Sequence, residues 1–472
     1  MKQERKNLKS ADFEREPVPD HARLGLKSFV GMYAGEHCAG TELMIGPLFV
    51  AAGVSAFDLL LGLLLGNALA VLSWMVITAP IATRVRLTLY YHLEQICGTQ
   101  LVKIYNLANG VMFCFLAGAM VTVSTTAVGT WLNISMPGLN DLYPNSIGWV
   151  VVSLVVGVLI AIVAAYGYRI VAEFANIAAP WMVLVFVVFG IVGLKQFLDL
   201  PGVTINSASD LWNLTRNYIW KGGAPLEGQV KFTFWHVTFF SWFCNIAMHM
   251  GMADLSIFRF AKKSWYGIST AAGMYVGHYL AWIAAAILYS YQIYNDPAFT
   301  KVIPGLLARN AAGWAGIVCV IIAGWTTANP TIYRAGLAFQ AIVPKRSRFR
   351  VTFITGLIAA VAGMFPAIAM KLLDFVSLYG MLIMPMGAVM FVDYWLLKKA
   401  NLHPMYAKMT GKSFYLAPGL AWILTLILCV LLIRFAGVQI YFVSLPGWLF
   451  AGTIYFLLSY WFQKNTGSLR IK

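Results

Sequence analysis

Of 472 residues, 60% are hydrophobic and only 11% are charged, which excludes an ordinary globular enzyme with a solvated surface and leaves a polytopic membrane protein. Thirty-four Lys and Arg against 18 Asp and Glu give a formal net charge of +16. That excess supports a nucleic-acid reading only if it is gathered on a soluble surface, and its distribution along the chain shows otherwise.

Residues 1–25 are polar and charged, without the apolar core or cleavage pattern of a removable signal peptide. They are expected to form a cytoplasmic tail, so that the first span directs insertion. Apolar runs of at least about 18 residues then fall at 26–50, 55–83, 98–130, 147–166, 173–195, 229–259, 265–292, 311–342, 350–365, 370–396, 414–433 and 440–463. The expectation is an all-α membrane protein of about twelve transmembrane helices, or eleven if the short ninth run is packed inside the bundle. Residues 464–472 form a second cytoplasmic tail. With twelve spans, about 26 of the 34 Lys and Arg lie on the inner side and about eight outside, as the positive-inside rule requires in a plasma (bacterial inner) membrane. Orientation therefore accounts for the charge, and no nucleic-acid partner is expected.

Span 1 reads Gly35-Glu-His-Cys-Ala-Gly-Thr-Glu-Leu-Met-Ile-Gly-Pro47, placing carboxylates and a His in an apolar run. Glu42 is costly at mid-membrane unless paired or hydrated. It either bonds to another span, or binds an amino-bearing or cationic solute, or titrates as a proton site. Glu36 and His37 are adjacent in sequence and do not share a helix face. Asp58 belongs at the outer end of span 2. Span 3 carries Ala117-Gly118 followed by Ser124-Thr125-Thr126. The loop at 196–228 is the largest, with room for a short amphipathic helix around 210–220. Span 6 reads Cys244-Asn-Ile-Ala-Met-His-Met-Gly-Met-Ala-Asp-Leu-Ser256, again with a His, a carboxylate and a mid-span glycine.

Span 8 reads Ala323-Gly-Trp-Thr-Thr-Ala-Asn-Pro-Thr-Ile-Tyr-Arg-Ala-Gly-Leu-Ala-Phe-Gln340 and echoes span 3 at an offset of five spans. The hydroxyls of Thr326 and Thr327, with the Ala323 carbonyl, offer three neutral oxygens suited to Na+. The competing reading is that both threonines bond back to carbonyls one turn earlier and bend the helix. Polar, glycine-interrupted segments in corresponding places of two halves point to an inverted-repeat transporter with discontinuous helices, although small residues also serve close helix packing. Asp393, near the inner end of span 10, is expected to cap or to pair with Lys398 or Arg350. Six cysteines occur without a C-x-x-C pair, and no nucleotide-loop, H-E-x-x-H or G-x-S-x-G pattern is present, so no catalytic residue is assigned.

Together, Pro17-Val-Pro with Ala22-Arg23-x-Gly25, Asp58-Leu-Leu-Leu-Gly-Leu-Leu-Leu-Gly-Asn67, Arg259-Phe260, Trp325-Thr-Thr, Tyr333-x-x-Gly-Leu337 and Asp393-Tyr-Trp resemble the nucleobase-cation symporter family, the cytosine and purine permeases, over most of spans 1–10. The resemblance implies one transporter domain, 26–463. It comprises two inverted five-helix repeats (spans 1–5 at 26–195, spans 6–10 at 229–396), two extra helices at 414–463, and breaks in spans 1 and 6. It also implies a Na+ site in which Ala323, Thr326 and Thr327 meet span-1 carbonyls, placed by ungapped matching at Gly35 and Cys38. The family's span-3 Gln and Trp become Gly110 and Phe113, its span-6 Ser falls near Ile246, and its span-8 Asn becomes Ala323.

The substrate-binding candidates are therefore Ala39, Glu42, Asn109, Phe113, Trp242, Asn245 and His249. Asn offers donors and an acceptor to a heterocycle edge, and Phe113 or Trp242 a face; His249 and Trp242 read equally as packing residues. The expected activity is uptake of a nucleobase or related heterocycle by symport with Na+. One alternative is proton coupling of a cationic or amino-bearing heterocycle, such as a thiamine-type pyrimidine, through Glu42 or His249. The other is a non-transporting sensor. The expected partners are the substrate and the lipid bilayer, with no obligate protein partner and no cofactor beyond the coupling ion.

Overall fold

A computed structural model of the protein describes residue 13 and residues 15–138, 141–244 and 249–465. The described residues are helical, with no strand beyond isolated bridges at Leu24 with Ala261 and Ser55 with Lys221. Among the described residues, nine helices are long and apolar enough to cross a membrane: Ala56–Val85, Thr99–Leu132, Ile147–Ala165, Glu173–Leu198, Ser264–Asn295, Pro304–Ile342, Leu372–Trp395, Leu416–Phe435 and Ser444–Asn465. They take the places of spans 2–5, 7, 8 and 10–12.

The other three predicted spans, 1, 6 and 9, are broken or short. Span 1 is two helices, Leu26–His37 and Glu42–Ala51, separated at a run of small residues. Span 6 runs from Phe234–Phe239 through a π-helical turn, Phe240–Cys244, and ends in Leu255–Phe258. Span 9 is Arg348–Ala362, 15 residues, or about 22 Å of helix against a hydrocarbon thickness of about 30 Å. It is held among spans 3, 4 and 8 by small residues: a Cβ on Gly157 would lie 2.4 Å from Ala360, and one on Gly356 2.3 Å from Ala161.

The contacts sort eight of the first ten spans into two groups, and span 5 packs on both of them, against spans 1, 7 and 8. Spans 3, 4, 8 and 9 pack on one another, and spans 1, 2, 6 and 7 do the same. Spans 3 and 8 run together over most of their lengths, and the first group touches the second where Gly40 of the span-1 break meets Gly324 of span 8. At the basic end, Leu24 N–H donates to the Phe260 carbonyl (2.6 Å), Lys262 N–H donates to the Leu24 carbonyl (3.2 Å), and Arg86 pairs with Asp20 (3.3 Å). The N-terminal segment thus ties span 1 to the end of span 6.

At the opposite end the expected loop helix is present as Ala208–Leu214 with a π-helical turn, Thr215–Ile219. Its following segment closes over span 1 through Leu226 N–H to the Ala51 carbonyl (2.7 Å) and Phe232 N–H to the Ala52 carbonyl (3.0 Å). Asp58 sits at the start of span 2, sharing a reciprocal cap with Ser55. Asp393 corrects the expectation of a Lys398 or Arg350 partner. It accepts from Tyr455 Oη (2.8 Å) and the Met405 N–H (3.1 Å), because the turn after span 10 folds back against span 12.

Candidate functional site

The break in span 1 begins where the helical ladder stops, at Cys38 N–H to the Ala34 carbonyl (3.0 Å), and it resumes with Glu42 N–H to the Ala39 carbonyl (3.2 Å). Carbonyls in the last turn before the gap lose their helical donors and need other partners. Glycine makes the close approaches possible. A Cβ on Gly40 would lie 3.0 Å from Gly324 N, and one on Gly277 of span 7 would lie 2.5 Å from His37 Cβ.

Span 8 meets this gap with its threonine pair. Thr327 Oγ1 donates to the Glu36 carbonyl (2.9 Å) and lies 3.3 Å from the Ala323 carbonyl, while Thr326 Oγ1 donates to the Ala323 carbonyl (2.9 Å) and approaches Met182 Sδ (3.6 Å). The back-bonding and the interhelical reading thus occupy the same two hydroxyls. Gly35 packs against Ala175 and Ala179 of span 5, and Cys38 Sγ points to the Val276 carbonyl (3.5 Å). The oxygens gathered here are neutral and hard, a donor set that fits Na+.

Below the threonines lies an ion cluster that the sequence reading did not assemble. Arg334 binds Glu36 through both guanidinium nitrogens and Asp254 through Nη2 (2.7 Å), and Trp74 Nε1 donates to the other Asp254 oxygen (2.8 Å). All four side chains are buried. A buried Arg serves two carboxylates well because its planar fork presents several donors at once. The available signal was a charge within each of three apolar spans, 1, 6 and 8, one cationic and two anionic.

Between the break and spans 3, 6, 7, 8 and 10 lies a central cavity of ≈ 70 Å³, room for roughly five water molecules. Its polar wall includes Glu36, His37, Thr41, Glu42, His278 and Thr327. Trp282 Nε1 donates to Glu42, Thr41 Oγ1 lies 3.4 Å from it, and His278 Nε2 stands 3.7 Å away. The His278 ring stacks on Trp282 at 4.3 Å and 13°, and His37 lies 4.4 Å from His278 with its Nδ1–H donating to the Tyr33 carbonyl (2.9 Å). His278 and Trp282 are an i, i+4 pair, so one face of span 7 presents both. A π-helical stretch, Ala272–Tyr279, shapes that face.

Of the substrate candidates, Glu42 lines the cavity, and buried Ala39 supplies the carbonyl that restarts span 1. Asn109 stands one bond behind the wall, accepting from Tyr379 Oη (2.6 Å) and donating to Tyr90 Oη (3.3 Å), and Phe113 meets Tyr379 edge-on at 5.3 Å. Trp242 and His249 lie away from it: Trp242 Nε1 donates to Ser73 (3.0 Å), and the His249 ring abuts Trp74 at 3.7 Å. Asn245 lies outside the described residues.

No protein-family model matches the chain, and no curated protein matches it by sequence. Solved structures do. Mhp1, a nucleobase-cation-symport-1 family transporter in a closed conformation with bromovinylhydantoin bound, aligns at TM-score 0.70 and 14% identity over 96% of each chain. The chain has this inverted-repeat fold. A substrate-bound, outward-open Na+-coupled sialic acid symporter aligns at 0.63 and 14% identity, covering 95% of this chain and 92% of that one. The inward-facing conformation of Mhp1 aligns at 0.62 and 15% identity, covering 95% and 93%.

Proposed function

We propose that the chain is a secondary active transporter of the plasma (bacterial inner) membrane, with both termini cytoplasmic, that takes up a small nucleobase-like heterocycle together with Na+. The observation that carries this reading is the contact of Thr327 with the Glu36 carbonyl at the edge of the central cavity. An ion at this point joins span 8 to span 1 beside the solute space. Ala323, Thr326 and Thr327 with carbonyls of the 35–38 turn are the proposed ligands, and Glu42 with the His278–Trp282 face is the proposed solute wall. Ion and solute favour the same closed arrangement, so each raises the affinity for the other by one factor. Release to the basic side follows when the 1-2-6-7 group rocks against the 3-4-8-9 group and the Arg334 cluster opens.

The test is thermal stabilisation of purified protein by nucleobases, hydantoins and pyrimidine vitamins, in Na+ and in choline. A ligand at 100 times its dissociation constant stabilises by about 2.7 kcal/mol. Stabilisation confined to Na+, and lost in Thr327→Ala, is the expected result; equal stabilisation in choline removes Na+ from the mechanism. Proton coupling is the second reading, favoured by the 3.7 Å approach of His278 to Glu42. It requires uptake that follows pH and ignores Na+.

A further inference from the structure

Charge around the central cavity is unbalanced. Glu36, Glu42 and Asp254 are buried carboxylates, and Arg334 is the guanidinium that answers them. Its fork is spent on Glu36 and Asp254, so Glu42 is left with Trp282 N–H, the Thr41 hydroxyl and the more distant His278. Among the described residues, no Lys or Arg pairs with Glu42. With all three carboxyls ionised, one fixed cation leaves two negative charges in a region where each unpaired charge is expensive. One coupling ion at Thr327 offsets one of them. The carboxyl left without a fixed cation is Glu42, in the wall of the solute cavity.

We infer that the transported solute is itself a cation: a small planar heterocycle whose positive charge sits against Glu42 while its ring lies along the His278–Trp282 face. This inference rests on the transporter reading and names its cargo. Glu42 fits the role on three grounds. It borders the cavity, its hydrogen-bond partners are chiefly neutral, and a stacked aromatic pair stands beside it, favourable to a delocalised cation as well as to a flat ring. Glu36 borders the same cavity and does not fit, because Arg334 already holds both of its oxygens. The ≈ 70 Å³ of the central cavity suits a cargo of about one ring with small substituents.

The test uses matched ligand pairs that differ in permanent charge: nicotinamide with 1-methylnicotinamide, and 4-aminopyrimidine with its N1-methyl cation. Binding to the purified full-length protein is read by thermal stabilisation and competition in Na+, for wild type, Glu42→Gln and Glu42→Asp. Wild type is expected to prefer the cation of each pair by roughly 30-fold, the equivalent of a close charge pair. Glu42→Gln is expected to erase that preference, and Glu42→Asp to retain part of it. The wild-type preference is informative by itself should Glu42→Gln not fold. A wild-type preference for the neutral member overturns the inference and leaves the transporter reading intact. A cation preference that survives in Glu42→Gln overturns the assignment to Glu42. Failure of every heterocycle, charged or neutral, with and without Na+, defeats the transporter reading itself.

Discussion

Arg334 is the residue on which the largest number of buried charges depends, and its replacement separates electrostatics from packing. Arg334→Ala leaves Glu36 and Asp254 facing each other without a cation, a defect expected to cost about 3–5 kcal/mol. The expected outcome is a sharp fall in the yield of monodisperse protein and in its unfolding temperature. Arg334→Lys keeps the charge but loses the fork that spans two carboxylates, so it is expected to recover only part of the loss. Full recovery by Lys, read from the same unfolding curves, argues that charge alone matters here. The double variant Glu36→Gln with Arg334→Met is expected to be more stable than Arg334→Ala, since it removes one charge from each side.

At the scale of the element, the gap in span 1 works because glycines on neighbouring helices give it room. A methyl group on Gly277 would meet His37 Cβ at 2.5 Å and the His37 carbonyl carbon at 2.6 Å. Gly277→Ala therefore forces span 7 away from the gap, an overpacking expected to cost about 1–3 kcal/mol. The predicted signature is a lowered unfolding temperature together with loss of ligand stabilisation, whereas Gly202→Ala, on the exposed loop after span 5, is expected to leave ligand stabilisation unchanged.

These elements also show how much the sequence discloses. Apolar runs marked the spans closely, and the glycines and polar residues at 35–47 marked the break, because both are local properties of the chain. The ion cluster was hidden for a different reason. Glu36 and Arg334 are 298 residues apart, and nothing in either span's own pattern says which face meets the other. His278 and Trp282 escaped notice for the same reason: their i, i+4 spacing was visible, but the element opposite them was not. Trp242 looked like a ring for a substrate because it is aromatic and near the break of span 6, yet its indole is turned to Ser73 of span 2.

At the scale of the whole molecule, the two packing groups make a directional prediction about restraint. A disulfide between cysteines at Leu24 and Ala261 ties residues next to span 1 and span 6, which belong to one group. It is expected to leave Na+-dependent uptake largely intact. A disulfide between cysteines at Gly31 and Asn176 joins span 1 to span 5, which also packs on span 8 of the other group, and a Cβ on Gly31 would lie 3.7 Å from the Asn176 Cα. It is expected to abolish uptake while sparing ligand stabilisation, with a reductant restoring transport. The measurement is uptake into proteoliposomes before and after reduction; if both bridges behave alike, span 1 does not need to move against span 5 for transport.

The long sequence separation of the ion cluster also bears on how the protein is made. Glu36 leaves the ribosome 298 residues ahead of Arg334, and at about 5–20 residues per second that interval is on the order of 15–60 s. Throughout it, the first helix carries a carboxylate whose guanidinium partner has not been synthesised, and span 6 then adds Asp254 to the same debt of charge. Early spans must therefore wait in a protonated or water-facing state, and the arrival of span 8 is the event that lets them settle together. A chain that ends before residue 334 carries Glu36 and Asp254 without the guanidinium that holds them both.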